Sequence, residues 1–275
     1  MVQKVHPLVS IITACYNDGK YISETINSIF NSEYHNIEHI IVDDGSNDQG
    51  TLKVLRQQKE SRVFFNTRQG VIQARNYGVN VAQGEYILFL DADDLISPAY
   101  VMNCVEALEK SETIKAVTTN FRYFGDGKGE VKVPSYNIQL LIARNLFIIT
   151  TMFRRRDFLR VGGFSENMAS GLEDWDFWLK ILGAGGEVLI LSDVNFYYRI
   201  KKKGSSRNLS IADKRLRELR RTIWENHRHL YNRHFLDPME TFEYVNIKNS
   251  AEYKIGTLVM SVLGPFRRVL KRFKF

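Results

Sequence analysis

One stretch constrains the fold more than any other: residues 84–95, which read GEYILFLDADDL. The run YILFL has no polar break, and such runs are typical of strands that are buried on both faces of a parallel sheet. The run ends in Asp91, Asp93 and Asp94. At the carboxyl end of a central strand, these carboxylates would lie where open α/β sheets bind ligands. The alternative interpretation is a solvated acidic turn after a strand.

Three carboxylates this close repel one another, so the site requires a compensating cation. Oxygen ligands without His or Cys favour Mg²⁺ or Mn²⁺ over zinc. A partly hydrated ion of this kind usually completes its coordination with phosphate oxygens of a ligand. The stretch therefore predicts a divalent metal that bridges the protein to a phosphorylated substrate.

Strand and helix patterns alternate along the first hundred residues or so, which predicts parallel βαβ units. Strands are expected at residues 9–15, 38–42, 63–66 and 86–90, and helices at residues 23–30, 52–58, 71–82 and 100–108. Polar clusters follow three of these strands, at residues 16–18, 43–44 and 91–93. Because parallel strands end at one edge of a sheet, the clusters are expected to converge. There is no GxGxxG after the first strand and no Walker A sequence, which argues against dinucleotide and P-loop sites.

The second half of the chain is less regular. Strands are expected at residues 116–123, 188–191 and 195–199, and helices at residues 171–182 and 211–229. With 275 residues, the chain is long enough for one large α/β domain and a tail, which we place at residues 1–208 and 209–275. Two cysteines exclude a disulfide framework and a cysteine-based zinc site.

The charge is unevenly distributed. Residues 1–198 carry a net charge of −5, whereas residues 199–221 carry +8 and residues 267–275 carry +5. A nucleic-acid-binding protein would carry its excess charge across a folded face, so this class is disfavoured. No signal-peptide pattern and no apolar membrane-spanning stretch are visible, and we expect a cytoplasmic protein.

Five segments in order resemble the family-two glycosyltransferases, which have the GT-A fold. The segments are VSIITACYN, IIVDDGSND, GVIQARNYGVNVAQGEYILFLDADD, GGFSE and GLEDWDFWLKI, and they cover roughly residues 8–200. The resemblance implies a Rossmann-like, mostly parallel central sheet flanked by helices. It also implies an inverting transferase of hexosyl or N-acetylhexosaminyl type. Such an enzyme moves a sugar from a nucleotide-diphosphate sugar, UDP-linked by preference, to a glycan or lipid-linked acceptor, as in bacterial surface polysaccharide synthesis.

By this resemblance, the loop after the first strand and the acids after the second strand hold the nucleotide. The implied residues are Ala14, Tyr16, Asn17, Asp43 and Asp44. An acid that faces uracil or thymine can accept the imide N–H of the base, while an aromatic ring stacks on its face. Asp44 is the first choice for this contact and Asp43 the second.

The resemblance also assigns the two acidic motifs. Asp91-Ala92-Asp93 matches the DxD motif, with Asp93 as the implied metal ligand and Asp91 in contact with the ribose or the metal shell. Glu173-Asp174 matches the ED motif, with Asp174 as the catalytic base. A base is needed because a sugar hydroxyl is a poor nucleophile until a carboxylate takes its proton.

Two arginines are implied near the donor. Arg75, in the helix before the central strand, would reach the diphosphate or the acids around it. Arg199 precedes the basic stretch KKKGSSRN, which resembles a segment that closes over the donor, and would add charge at the leaving diphosphate. The alternative for this stretch is a solvated basic loop. Trp175 and Trp178 would either stack on an acceptor sugar or pack in the core.

The chain ends in GPFRRVLKRFKF, which has apolar residues at helical spacing with basic residues between them. This pattern predicts a basic amphipathic helix that suits an anionic membrane surface, and hence a peripheral protein on the inner face of the cytoplasmic membrane. The alternative is a helix that packs on the domain and exposes a basic face.

Two other functions compete with the transferase. A sugar-nucleotide pyrophosphorylase would need a glycine-rich basic loop after the first strand, whereas CYNDGKY has a single glycine. A non-catalytic nucleotide-sugar or glycan-binding module would be indicated by loss of Asp93 or Asp174, and both are present.

Overall fold

The computed structural model describes residues 6–201, 213–234 and 242–262. The chain divides into two compact units, Met1–Arg228 and His229–Phe275. The predicted boundary between residues 208 and 209 lies outside the described residues, as do most of the KKKGSSRN stretch and the basic C-terminal segment.

The described residues form nine strands and eleven α-helices. The strands are β1 (Val9–Cys15), β2 (Ile37–Asp44), β3 (Arg62–Asn66), β4 (Tyr86–Phe89), β5 (Leu95–Ile96), β6 (Ile114–Gly125), β7 (Gly129–Val131), β8 (Met152–Arg154) and β9 (Glu187–Ile200). The helices are α1 (Ile22–Phe30), α2 (Gln49–Arg56), α3 (Val71–Val81), α4 (Tyr100–Leu108), α5 (Ile138–Ala143), α6 (Arg155–Val161), α7 (Glu173–Leu182), α8 (Asp213–Asn226), α9 (Arg228–His234), α10 (Phe242–Asn249) and α11 (Ala251–Val262).

All nine strands belong to one sheet, in the order β3-β2-β1-β4-β8-β6-β9-β5, with β7 paired to β6. Strands β3, β2, β1 and β4 are mutually parallel, as the alternating pattern predicts. The short strand β8 is antiparallel to both of its neighbours, β4 and β6, while β9 is parallel to β6. The expected mixed α/β fold with a mostly parallel sheet is therefore confirmed.

The packing of α3 on β1 and β2 brings the helix close to the sheet. Gly78 lies at this contact, where a Cβ atom would be 2.4 Å from Cγ2 of Ile12. A residue with a side chain cannot fit there without displacing the helix, so the glycine determines how closely α3 approaches the strands. This helix also carries Arg75, which the glycine thereby helps to position.

Strand β9 is one continuous element, whereas the sequence pattern predicts two short strands. Its pairing with β6 shifts register between Thr119 and Asn120, where two residues, Ser192 and Asp193, are bulged out. Thr119 Oγ1 donates to the Asp193 carbonyl at 2.6 Å, and Asn120 Nδ2 donates to the Ser192 carbonyl at 2.7 Å. Side chains of β6 thus satisfy the bulged carbonyls, and the strand continues through the polar interruption.

Both tryptophans of the α7 segment belong to the core. The side chain of Trp178 is fully buried, and Trp175 is 4% exposed and donates from Nε1 to the carbonyl of Leu141 at 2.6 Å. Of the two predicted alternatives, core packing is therefore correct for both. Trp178 lies in an aromatic cluster that also contains Phe89, Phe147, Phe153, Phe158, Phe164 and Phe177.

The second unit contains α10 and α11, whose apolar side chains are largely exposed. Ile247, Ile255 and Leu258 are 61%, 61% and 66% exposed. Among the helices of residues 6–201, 213–234 and 242–262, none is long and apolar enough to cross a membrane.

Candidate active site

A cavity of about 610 Å³ opens where β1, β2 and β4 end. The structure thus brings together the polar clusters that follow these three strands. The acidic end of the cavity is lined by Asp18, Asp44, Asp91, Asp93, Glu173 and Asp174. The apolar end is lined by Phe121, Tyr123, Val131, Val133, Ile148 and Tyr198.

Arg75 joins the two acidic motifs. Its guanidinium is 2.8 Å from Oδ1 of Asp91 and 3.1 Å from Oε1 of Glu173, and the side chain is 5% exposed. Burial lowers the pKa of Arg75, but the charges of Asp91 and Glu173 outweigh that effect and raise it overall. One permanently charged group therefore pairs with an acid from each motif and holds α7 against the end of β4.

Asp174 lies in the first turn of α7 and is held by two hydrogen bonds. Asn145 Nδ2 donates to Oδ2 at 2.8 Å, and the backbone N–H of Trp175 donates to Oδ1 at 2.8 Å. Burial first, and then the charge of Glu173, raise the pKa of Asp174 to about 7. A carboxylate with a pKa near neutrality is well matched to general-base chemistry at physiological pH. Asn145 was not anticipated, because a single asparagine outside any motif carries no sequence signal.

The backbone before Asp174 adopts an uncommon conformation. Gly171 has φ 135°, and Leu172 has φ 58°, in the left-handed region. That region costs a non-glycine residue about 1–2 kcal/mol and persists only where the surrounding structure enforces it. Here the turn starts α7 so that Glu173 faces Arg75 and Asp174 faces Asn145.

At the other side of the acidic end, Asp93 is paired with Lys201. The ammonium of Lys201 is 2.6 Å from Oδ2 of Asp93 and 3.0 Å from Oδ1 of Asp18. Burial raises the pKa of Asp93. Lys201 is the first of three consecutive lysines, and nothing in the sequence distinguishes it from the next two.

The residues here suit a divalent metal only with help from a ligand. Within the described part of the chain, no group of three or more His, Cys, Asp or Glu side chains is arranged to hold a metal ion. Mg²⁺ and Mn²⁺ are commonly bound through one or two carboxylates plus phosphates and water. Asp93, with Asp18 beside the same ammonium, fits that limited role.

Asp94 and Arg199 fasten the end of β9 to the acidic turn. Asp94 is buried, which raises its pKa well above the usual range, and its Oδ1 accepts the backbone N–H of Arg199 at 2.8 Å. Arg199 Nε donates to the Asp93 carbonyl at 2.6 Å, and its guanidinium pairs with Glu24 at 2.8 Å. The guanidinium also lies 4.3 Å from the ring centroid of Phe124. Lys201, rather than Arg199, lines the cavity.

Ala14, near the end of β1, and Tyr16, in the loop that follows, both line the cavity. The guanidinium of Arg68 lies 3.9 Å from the ring centroid of Tyr16 and also hydrogen-bonds its hydroxyl. Arg68 was not anticipated either, since it belongs to no motif. Ala92 also lines the cavity; it is largely buried, and its carbonyl accepts a hydrogen bond from Thr25 Oγ1 at 3.0 Å.

Asn17 joins two loops and is not among the residues that line the cavity. Its φ is 56°, a left-handed value that asparagine tolerates better than most residues. Its Oδ1 accepts the backbone N–H groups of Asn47 and Asp48 at 3.0 Å each, and its own N–H donates to Ser46 Oγ at 2.9 Å. The loop after β1 is thereby fixed to the loop after β2.

The paired acids at the end of β2 differ in their partners. Asp44 lines the cavity, and its carboxylate accepts backbone N–H groups from Gln69 at 2.7 Å and Gly70 at 3.0 Å. Asp43 is 2% exposed, and its Oδ2 accepts the N–H of Ser46 at 3.1 Å. Its Oδ1 is buried and has no hydrogen-bond partner among the described residues. Unlike Asp44, Asp43 is not among the residues that line the cavity.

Comparisons with known proteins identify the family and the fold. A profile described as glycosyl transferase family 2 matches residues 10–176. An uncharacterised glycosyltransferase of Rickettsia conorii is 33% identical over 190 residues, which are 64% of this chain and 31% of that protein. One from Haemophilus influenzae is 32% identical over 213 residues, 74% of this chain and 83% of that protein. Chondroitin synthase of Escherichia coli is 31% identical over 188 residues, 65% of this chain and 27% of that protein.

The matched part of the chain therefore covers 31% of the Rickettsia conorii protein and 27% of chondroitin synthase, but 83% of the Haemophilus influenzae protein. Among solved structures, Staphylococcus aureus TarS 1–349 in complex with UDP-GlcNAc aligns with a TM-score of 0.65 and 21% identity, covering 90% of this chain and 71% of that one. The mannosyltransferase PcManGT of Pyrobaculum calidifontis, in complex with GDP-Man and Mn²⁺, aligns with a TM-score of 0.62 and 21% identity, covering 98% of this chain and 82% of that one. These structures share the fold, and with the profile match over more than half of its length, the chain belongs to glycosyl transferase family 2.

Proposed function

We propose that this glycosyltransferase moves a sugar, with inversion, from a UDP-linked donor to a hydroxyl of a glycan or lipid-linked acceptor. One observation carries the proposal: Arg75 bridges Asp91 and Glu173, so that the DxD acids and a carboxylate with a pKa of about 7 share one cavity. An inverting single displacement needs a leaving-group site and a base on opposite sides of the reacting carbon. In this cavity Asp91 and Asp93 would form the leaving-group site, and Asp174, from a distant segment of the chain, would be the base.

In this proposal the nucleotide occupies the part of the cavity lined by Ala14, Tyr16 and Asp44. Tyr16, already covered by Arg68 on one side, would present its ring to the base. Of the two acids, Asp44 lines the cavity and orders the loop that leads into α3, whereas Asp43 has the unpartnered oxygen. Asp43 Oδ1 would accept the imide N–H of uracil, which requires that this buried atom become accessible when the nucleotide binds. Asn17 would act indirectly, by holding the two loops together.

A divalent metal, Mg²⁺ or Mn²⁺, would be held by Asp93 together with the donor diphosphate. When bound, such an ion neutralises the diphosphate as it leaves. Asp91 is committed to Arg75 through one oxygen and would face the ribose or the metal shell with the other. Arg75 and Arg199 would add positive charge near the diphosphate while they remain paired with Asp91 and Glu24.

Asp174 would take the proton of the acceptor hydroxyl as the glycosidic bond forms. Asn145 and the Trp175 N–H hold the carboxylate in one orientation. Glu173 does not compete for this role because Arg75 engages it. The acceptor would enter from the apolar end, where aromatic rings such as Tyr123 and Tyr198 can pack on the apolar faces of a sugar.

We also propose that the second unit binds an anionic membrane surface on its cytoplasmic side. The exposed apolar residues of α11, such as Ile255 and Leu258, precede a segment of net charge +5. Exposed apolar area followed by basic charge suits a lipid surface that carries negative headgroups. Co-sedimentation of the full chain with vesicles tests this. Binding to phosphatidylglycerol vesicles but not to phosphatidylcholine vesicles is expected, and equal or absent binding would refute it.

The central experiment is donor binding and hydrolysis by the purified protein across UDP-, dTDP- and GDP-sugars, with and without Mn²⁺. We expect Mn²⁺-dependent binding of one UDP-sugar, slow hydrolysis of that donor, and loss of the metal effect in Asp93→Ala. Binding without hydrolysis or transfer to any acceptor would favour the competing function, a non-catalytic nucleotide-sugar or glycan-binding module. Failure to bind any of the donors would refute the proposal.

A further inference from the structure

The end of β9 delivers a lysine to the acid that we propose as metal ligand. We infer that Lys201 is an internal counter-ion of Asp93 that competes with a divalent metal for this carboxylate, so that metal and nucleotide diphosphate bind cooperatively. This inference rests on the proposed function for the identity of the two ligands. The contact itself is independent of that function.

The geometry of the contact is that of a cation between two carboxylates. The ammonium is 2.6 Å from Oδ2 of Asp93 and 3.0 Å from Oδ1 of Asp18, and it lies 4.5 Å from the ring centroid of Tyr21. The side chains of Lys201 and Asp93 are 22% and 20% exposed. Partial burial makes such an ion pair stronger than a fully solvated one.

The backbone anchors the lysine at this position. Arg199, two residues earlier, donates its N–H to Asp94 and its Nε to the Asp93 carbonyl. The Ile200 carbonyl accepts the N–H of Asp126 at 2.9 Å. The residue before Lys201 is therefore tied to β6, and the lysine side chain begins within reach of the acidic turn.

Lys201 and a metal bound to Asp93 would repel each other strongly, because both cations would lie within a few ångströms of one carboxylate. A metal that binds to the free protein therefore weakens or breaks the Lys201 pair. A nucleotide diphosphate changes this balance, because its negative charges offer the released ammonium another partner. Metal and nucleotide then favour each other's binding, and by thermodynamic linkage the coupling is reciprocal.

The test measures Mn²⁺ affinity directly, by the electron paramagnetic resonance signal of free Mn²⁺, without nucleotide and then with saturating UDP. In Lys201→Met, Mn²⁺ alone should bind at least about fivefold more tightly than to the wild type, since that is the lower range of typical coupling. The factor by which UDP strengthens Mn²⁺ binding should shrink correspondingly. Lys201→Arg retains a cation and should behave like the wild type.

Lys20→Met is the matched control. Its ammonium lies 5.3 Å from the centroid of the same Tyr21 ring, and Lys20 forms no ion pair with any residue the structure describes. It removes one positive charge nearby without touching Asp93, so Mn²⁺ affinity should change by less than about twofold. Thermal unfolding of each variant verifies that the fold is intact.

The inference is overturned if Lys201→Met binds Mn²⁺ as the wild type does, or if Lys20→Met tightens binding equally. In either case, retained UDP binding would leave the proposed function standing. The double variant Asp93→Asn/Lys201→Met should lose the increase in Mn²⁺ affinity that Lys201→Met produces. If the increase persists in the double variant, the role of Asp93 as metal ligand is also refuted. Absence of donor binding by the wild type, together with a gain in Mn²⁺ affinity in Lys201→Met, would refute the proposed function and support the counter-ion.

Discussion

Asn145 Nδ2 lies 2.8 Å from Oδ2 of Asp174 and donates a hydrogen bond to it. An amide donor stabilises the ionised carboxylate and so lowers its pKa. Burial and the neighbouring Glu173 act in the opposite direction and prevail, and the pKa of Asp174 is about 7. Burial and Glu173 therefore favour the protonated form of the proposed base, and Asn145 favours the ionised, active form.

The first prediction concerns pH. If Asp174 must be ionised to accept a proton, kcat rises with pH through about 7 and levels off above it. In Asp174→Asn, which preserves the shape of the side chain, kcat should fall by roughly 10²–10⁴-fold. Initial rates of transfer or donor hydrolysis between pH 5.5 and 9 provide the measurement. A flat profile in the wild type would contradict the assignment of Asp174.

The second prediction concerns Asn145 as a positioning residue. Asn145→Ala removes a donor to the ionised form, so the pKa of Asp174 should rise and the ascending limb of the kcat profile should move to higher pH. A loss of roughly tenfold in kcat at pH 7 should be partly recovered at pH 9, since one hydrogen bond to a charged group contributes about 1.5–3 kcal/mol. A purely structural role would lower kcat equally at every pH.

The acids at the ends of strands could be predicted from the sequence, because the same pattern of an apolar run followed by polar residues occurs several times. Buried apolar runs followed by acids identified β1, β2 and β4, because a parallel sheet imposes both features together. The cluster Asp91-Ala92-Asp93 was found in the same way, whereas Glu173-Asp174 was identified from the family resemblance. The three-residue strand β8 was missed, since so short an element carries no periodicity and is specified by its two neighbours.

The missed site residues share one property: each acts through a contact between distant parts of the chain. Lys201 pairs with Asp18, 183 positions away, and Arg68 covers Tyr16, 52 positions away. Neither residue type is unusual on a surface, so composition and local spacing cannot identify it. These pairs form because the tertiary structure brings together the segments that follow β1, β3, β4 and β9.

The third prediction concerns the stability that Arg75 contributes. Arg75→Ala leaves Asp91 and Glu173 without their shared cation, and breaking a buried ion pair by removing one partner typically costs about 3–5 kcal/mol. Because Asp91 is 37% exposed, we expect a smaller loss than this, about 2–3 kcal/mol, in the free energy of unfolding measured with urea. Donor affinity should fall as well.

Arg62→Ala is the control for this prediction. Arg62 also pairs with a carboxylate, that of Glu38 at 2.8 Å, but its side chain is 44% exposed. An ion pair this accessible to water contributes about 1 kcal/mol or less. Equal destabilisation by the two substitutions would show that Arg75 has no special role in joining the two motifs.

The fourth prediction separates the adjacent acids Asp43 and Asp44. Asp43 has an unpartnered Oδ1, whereas both oxygens of Asp44 accept backbone amides. In Asp43→Asn the side-chain oxygen should still accept the hydrogen bond from the Ser46 N–H. The NH₂ group would then take the place of Oδ1 and face the imide N–H of uracil. Two opposed donors should weaken UDP binding roughly tenfold to a hundredfold, the equivalent of one hydrogen bond to a charged group.

Calorimetric titration with UDP and CDP makes the comparison specific for the base. Cytosine has no imide N–H, so Asp43→Asn should reduce the preference for UDP over CDP as well as the affinity for UDP. Asp44→Asn should disturb the loop that contains Gln69 and Gly70, which lowers the unfolding temperature and weakens both nucleotides equally. If instead Asp44→Asn alone abolishes the preference for UDP over CDP, then Asp44, and not Asp43, accepts the hydrogen bond from the imide N–H of uracil.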